Sequence, residues 1–395
     1  MTSSSRTDTT RDRVVGWALD FARDRDSDDE LIAGLARLLV DAGIPLVRVS
    51  ASFRPIDPVV WARNISWEAD LGVQIRDRPY GDLAQAHYIG SVVEAIYGGS
   101  GTIRDRIEQG SKFQPIDGLS RQGATDYLAQ PIDLGPNVRS FVSYAIARGG
   151  GFTAEDIAIL DAIHPAVASV IRLRSTRLTI GSVLRTYLGP NAAQIVQAGR
   201  VRRGHGEQIH AAIWFCDLRD FTVLSQALPP DQMLQLLDAY FEAVSGPVVD
   251  HGGEILKFIG DAMLAIFPVA GSGAADSARR AVTAAVAALD RFATDVAQAK
   301  GPALGRELGM GLALHVGEVF YGNIGARDRL DFTVIGPAVN MAARVQGQCT
   351  AQRTPLLLTG ELAALLDRDD LVHLEGVALK GIETPTELVT LARYR

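Results

Sequence analysis

The sequence predicts an α+β protein built from two modules, and three observations carry that expectation. Its 395 residues exceed one ordinary domain at roughly 150 residues each. Apolar runs of strand length alternate with helix-period segments in both halves. The C-terminal half orders these segments as β-α-β-β-α-β, the ferredoxin-like arrangement, with extra strands after it. Residues 1–30 read as a flexible tail and first helix, and 31–172 as an α/β module. Residues 173–205 read as a helical linker, and 206–395 as the ferredoxin-like module.

In the first module, LIAGLARLLVDA (31–42) places apolar residues at helical spacing, and IPLVRVSASF (44–53) reads as a strand. A Pro/Gly-punctuated middle follows, carrying Trp61, Trp67, Tyr80, Tyr88 and Tyr97. These aromatics are read as core packing, with a pocket lining as the alternative. YLAQPIDL (127–134) and VRSFVSYAIA (138–147) read as strands. After the loop at Gly149–Gly151, Thr153 reads as the N-cap of a helix running to about Arg174. Met1–Arg13 is polar and lacks the apolar segment of a secretory signal, so it reads as a tail.

The linker is Arg-rich, with Gly189-Pro190 as a break. In the second module HAAIWFCD (210–217) is a strand and residues 230–252 an amphipathic helix. Two apolar runs, EILKFIG and AMLAIFP, meet at Gly260-Asp261. An Ala-rich helix (274–299), strands at 308–319 and 329–336, and a helix at 338–349 follow. The end mixes strand and helix: PLLLT, ELAALL, LVHLEGVAL and TELVTLA.

Composition narrows the function classes. Residues of the set AVILMFWYC make up 47% and charged residues 22%, which excludes long disorder. Asp plus Glu number 46 against 39 Lys plus Arg, a net charge of −7. That argues against a nucleic-acid polymer as partner. Two cysteines, Cys216 and Cys349, make no disulfide framework. No apolar run approaches the ~20 residues of a membrane span. The best, Ala281–Leu289, is flanked by Arg280 and Asp290 and reads as a packed helix. A cytoplasmic protein is expected. The His residues show no metal-ligand spacing. Only Lys112, Lys257, Lys300 and Lys380 are lysines. Coding bias toward Arg accounts for the scarcity, yet Lys and Arg are not interchangeable at a site.

Two acids stand where strands end. Asp217 closes an apolar strand, and Asp261 sits in a Gly-Asp turn suited to a two-residue hairpin loop. On neighbouring strands their carboxylates converge, an arrangement that suits Mg²⁺. Two such ions can stabilise the attacking and leaving oxygens of an in-line phosphoryl transfer. Taken singly, Asp261 also reads as a turn residue and Asp217 as a cap. The stretch LRDFT after Asp217 begins a helix, whose first N–H groups can hold phosphate.

AAIWFCDLRDFTVLS followed by GGEILKFIGDAMLAIF resembles the class III nucleotidyl cyclases. So do ALHVGEVFYGNIG, DFTVIGPAVNMAARV and LKGIETPTELVTL, five ordered motifs over about 206–393. The resemblance implies that Asp217 and Asp261 hold two Mg²⁺ or Mn²⁺ ions, with the Leu218 carbonyl adding a ligand. It implies that Phe221 and Thr222 offer N–H groups to the triphosphate, and that Lys257 and Thr333 read the base. A Lys–Thr pair is similar to the bacterial adenylyl subgroup often associated with bicarbonate responsiveness, so ATP is the expected substrate. Asn340 and Arg344, four apart on one helix face, match the ribose-orienting and transition-state residues. Lys380 matches a position near the β- and γ-phosphates. One departure is Gly311, where some animal homologues carry a phosphate-binding Arg.

The resemblance further implies a homodimer. The metal residues of one subunit would meet Lys257, Thr333, Asn340 and Arg344 of the other. The ending of the first module, GFTAEDIAILDAIHPAVASVI with its two preceding strands, resembles GAF-type sensory domains over about 31–172. That implies regulation by a small molecule or ion, bicarbonate among the candidates, with a purely dimerising module as the rival. The other readings are a catalytically silent nucleotide-binding or dimerisation module and a guanylate cyclase.

Overall fold

The computed structural model describes residues 3–24, 27–81, 88–114, 119, 122–135, 138–298 and 307–395. The chain divides into two units, Met1–Thr186 and Tyr187–Arg395.

The first unit opens with helices α1 (Ser3–Asp24) and α2 (Asp28–Asp41). Its sheet comprises β1 (Leu46–Phe53), β2 (Val60–Glu68), β3 (Gly72–Pro79), β4 (Ile103–Asp105), β5 (Asp126–Gly135) and β6 (Val138–Ile146). The strand order is β3-β2-β1-β6-β5-β4, with every pairing antiparallel. Val49, Ala51, Phe53, Ile65, Val142 and Tyr144 share one core with residues of α2 and of α4 (Ala154–Leu188). A short helix, α3 (Val92–Tyr97), packs with Phe141 and Ala145 on the other side. Strand alternation separates these two faces.

Three expectations are corrected here. The stretch expected to be a flexible tail is helical from Ser3, and Val14, Ala18 and Phe21 lie buried in the core. These form a narrow stripe in a polar helix, so composition hid it. The punctuated middle contains β2 and β3. Their polar alternation, as in VWARNISWE, masks strand character when only apolar runs are sought. The helix after Thr153 does not stop near 174. It runs to Leu188, so the first half of the expected linker is continuous helix. Its start is a reciprocal cap: Thr153 Oγ1 accepts from the Asp156 N–H at 3.1 Å, and Asp156 Oδ2 accepts from the Thr153 N–H at 2.9 Å.

Near the start of the second unit the chain breaks at Gly189 (φ +81°), and Pro190 starts α5 (Pro190–Gln197). Next come β7 (Gly206–Leu218), α6 (Phe221–Ala227), α7 (Pro230–Asp250), β8 (Glu254–Ile259), β9 (Ala262–Pro268) and α8 (Gly273–Arg291). A π-helical turn, Phe292–Gln298, extends α8. Then follow β10 (Met310–Gly325), β11 (Leu330–Ile335), α9 (Pro337–Gln346), β12 (Leu356–Thr359), α10 (Gly360–Ala363), β13 (Leu371–Val377) and β14 (Thr386–Leu391).

The sheet order is β13-β14-β12-β10-β7-β9-β8, with β11 on β10. Within it, β10-β7-β9-β8 with crossovers α7 and α8 is the ferredoxin-like core, so the expected α+β class and central order hold. Trp214, Tyr240 and Phe267 are fully buried between sheet and helices. Ala278, Ala281, Ala285 and Ala288 form the buried stripe of α8. Their small side chains let that helix lie close to the strands. Among the described residues no helix is long and apolar enough to cross a membrane. Lys300 lies outside the described residues.

Candidate active site

The strands of the second unit end at one acidic point. In the β7–β9 register Cys216 faces Met263, which sets Asp217 beside Ala262. Ile259 pairs with Ala262, closing a two-residue loop of Gly260 and Asp261. Gly260 takes φ +64°, a conformation that suits glycine. Asp261 Oδ2 accepts the Leu218 N–H at 3.1 Å, which ties the turn to the end of β7.

Burial first, and the Asp261 charge second, push the Asp217 carboxyl up to about 6. Burial also raises Asp261. Two crowded carboxylates that resist ionisation are relieved by a cation. Among the described residues no group of three or more His, Cys, Asp or Glu is placed to hold a metal. Asp217 and Asp261, with the Leu218 carbonyl between them in sequence, fit an ion such as Mg²⁺ that takes few protein ligands and keeps several waters.

Gln346, which the sequence did not single out, is the nearest partner of this pair. It is 8% exposed, and its Nε2 donates to Asp217 Oδ1 and to the Gly311 carbonyl at 3.5 Å. Its signal was a polar residue on the apolar face of α9, beside buried Ala338, Ala342 and Val345. The same contact explains Gly311. A Cβ there would lie 2.8 Å from Gln346 Nε2 and 3.0 Å from Cys349 Cβ. A larger side chain at this position and the Gln346 bridge exclude one another.

Lys257 lies on β8 and Thr333 on β11, and the two strands meet through side chains. Lys257 Nζ donates to Asp331 Oδ2, two residues from Thr333 and on the same side of β11. Thr333 pairs in register with Gly322 and is buried, and its Oγ1 has no hydrogen-bond partner. A buried hydroxyl without a partner is uncommon and marks a place for a ligand atom or water. Asp331 was also missed. Its spacing of two from Thr333 is the signal that places both on one face.

Asn340 and Arg344 are exposed on α9, opposite its buried stripe. The Arg344 guanidinium lies against the turn at Gly381, 3.5 Å from where a Cβ would stand, so Arg344 and the exposed Lys380 share one neighbourhood. Phe221 and Thr222 open α6 directly after Asp220, which adopts φ +58°. The structure thus joins Asp217 with Asp261, sets Lys257 on Asp331 two residues from Thr333, and sets Arg344 at the turn that follows Lys380. Asn340 stays with Arg344 by helical spacing alone.

The sequence profile of the family described as "Adenylate and Guanylate cyclase catalytic domain" matches residues 205–391. The match covers most of the second unit. The chain is 34% identical over 147 residues to an adenylate cyclase of Anabaena cylindrica, covering 37% of this chain and 29% of that protein. It is 32% identical over 152 residues to adenylate cyclase 1 of Rhizobium meliloti, covering 38% and 22%. The chain therefore spans less than a third of the length of either relative. Among solved structures it is similar to the adenylyl cyclase CyaB from P. aeruginosa. That likeness has a TM-score of 0.43 and 26% identity, over 48% of this chain and 97% of that one. Both acids, Lys257, Thr333 and the exposed Asn340 and Arg344 lie within the matched residues.

Proposed function

We propose that this protein is an adenylate cyclase that converts ATP to 3′,5′-cyclic AMP and pyrophosphate, acting as a homodimer with composite sites. The observation that carries the reading is the Asp217–Asp261 pair on joined strand ends, its carboxyls raised by burial. In the reaction the ribose 3′-oxygen bonds to the α-phosphorus, the bond to the bridging oxygen of the β-phosphate breaks, and pyrophosphate leaves. Two bound Mg²⁺ or Mn²⁺ ions would acidify the 3′-hydroxyl and neutralise the triphosphate.

The chain's own residues do the rest. Asp217, Asp261 and the Leu218 carbonyl hold the cations. The Phe221 and Thr222 N–H groups and Lys380 meet the phosphates. Thr333 offers the base its free hydroxyl, and Lys257 donates beside it, steadied by Asp331. Asn340 orients the ribose, and Arg344 donates to the α-phosphoryl as its charge develops. Asn340 and Arg344 face solvent in a single chain, which favours their use on a partner's site. The first unit, read as a GAF-like regulator, would answer to a small molecule or ion, bicarbonate among the candidates, through residues 173–205. Its six-stranded antiparallel sheet, with a helix-packed face, supports a sensory reading. A cytoplasmic setting follows from the same reading, since ATP is the substrate.

The test is cyclic nucleotide formation by the purified chain, with ATP and GTP, each with Mg²⁺ and Mn²⁺. Cyclic AMP from ATP is expected, and Asp261→Ala abolishes it with the fold intact by circular dichroism. Preference for GTP would establish the guanylate reading, and turnover of neither would establish a silent nucleotide-binding module.

A further inference from the structure

The first unit buries one sheet face in an unusual way. On the helix-packed side its strands carry Val49, Ala51, Ile65 and Val142. On the other side, the same three strands with β3 carry Arg48, Ser50, Ser52, Asn64, Ser66, Glu68, Arg76 and Arg78, set opposite one another by the registers Ser50↔Ser66, Ser52↔Asn64, Asn64↔Arg76 and Ala62↔Arg78. Ser50, Ser52, Ser66, Ser143, Arg48 and Glu68 are all buried. A buried polar strand face costs stability relative to the apolar one behind it unless its groups are bonded. Some are: Ser50 and Ser143 join through their hydroxyls at 2.9 Å.

A cavity of about 110 Å³ opens over this polar half. Arg48, Arg76 and Arg78 reach it, with Ser50 and Ser143 on its floor. Trp61 and Tyr88 form one wall, ring edge to ring face with centroids 5.3 Å apart. The Arg54 guanidinium stands 5.4 Å from the rings of both Trp61 and Tyr97, which stiffens that wall. None of the described residues lining the cavity is acidic. Glu68, on the same polar face, is held by Arg76 at 2.9 Å, Ser66 at 3.2 Å and Gln122 at 2.7 Å. Arg78, which lines the cavity, makes no ion pair among the described residues.

We propose that this cavity is a binding site for a small organic anion, a carboxylate or phosphate carried on a flat apolar body. The guanidiniums would take the anion, with Arg able to donate two parallel hydrogen bonds to it. The serine hydroxyls would accept or donate to its remaining polar atoms. Trp61 and Tyr88 would cover its flat part. The claim concerns binding alone and its test reads no cyclase activity, so it stands or falls separately from the reading of the second unit.

The experiment is isothermal titration calorimetry on the full chain in metal-free buffer, with benzoate, phenyl phosphate and the neutral control benzamide. At least one anion should bind with a Kd of about 1 mM or tighter, and benzamide should not. Whichever anion binds names the charged group. Arg78→Gln should weaken that anion about tenfold or more. Trp61→Leu should weaken it too, while Arg344→Gln with Lys380→Gln leaves it unchanged and so excludes the cationic residues of the second unit as the binding place. The proposal is overturned if neither anion binds, if benzamide binds equally, or if folded Arg78→Gln and Trp61→Leu proteins both bind as the parent does.

Discussion

At Asp217, burial and the neighbouring Asp261 both oppose ionisation, while Gln346 and Arg219 favour it more weakly. The carboxyl titrates near 6 in the folded chain against about 3.9 when unfolded. The folded state thus holds this proton more tightly. Its contribution to stability is fully present below about pH 4 and is lost as pH rises through 6. Asp217→Asn should therefore raise the Tm of the metal-free protein at pH 8, by about 2–4 °C for each kcal/mol recovered. The gain should vanish near pH 4, and Mg²⁺ with nucleotide should reverse it. Thermal scans at the two pH values, with and without ligand, check all three. Both acids were legible in the sequence, because strand ends and Gly-Asp turns announce themselves. Gln346 and Asp331 were not, because each acts through a register or helix face that only the folded chain supplies.

Among the elements, β10 and α9 are fitted to each other at Gly311. The strand position is bare, and the space above it belongs to Gln346 and Cys349. Gly311→Ala should cost about 1–3 kcal/mol through overpacking and should also displace Gln346 from Asp217. Denaturant unfolding should show the first effect. A rise in the Mg²⁺ concentration giving half-maximal activity should show the second, and a purely structural Gly would leave that concentration unchanged. The strands and helices of the second unit were readable in order, since their apolar runs are long and bounded by turn residues. Those of the first unit were read only in part. β2 and β3 carry arginines, a serine and an asparagine where a packed strand would carry aliphatic residues, and α1 buries a stripe only one residue wide.

For the whole molecule, the proposed dimer makes a prediction that no single chain can satisfy. Asp261→Ala lacks a metal residue, and Arg344→Ala lacks the transition-state donor. Mixed and allowed to exchange subunits, the two inactive proteins should regain up to about a quarter of parent activity, because half the dimers are mixed and each holds one intact site. Mass spectrometry of the mixture shows whether mixed dimers form. Their formation without activity would mean that the two residues work within one chain. The order of the ferredoxin-like core was within reach of the sequence. The cavity of the first unit was not, since it is lined by residues spread between Arg48 and Ser143.

The bond between Gln346 and Asp217 then acquires a meaning beyond its own chain. In such a dimer α9 is shared property: its outward face, with Asn340 and Arg344, serves the neighbour's reaction, while its inward face braces its own acids. A rigid ten-residue helix cannot answer one side without being heard on the other. When nucleotide draws on Arg344 at one site, the brace on Asp217 at the other is tugged as well. In the proposed dimer one helix would thus join the two reaction centres, like the two ends of a lever.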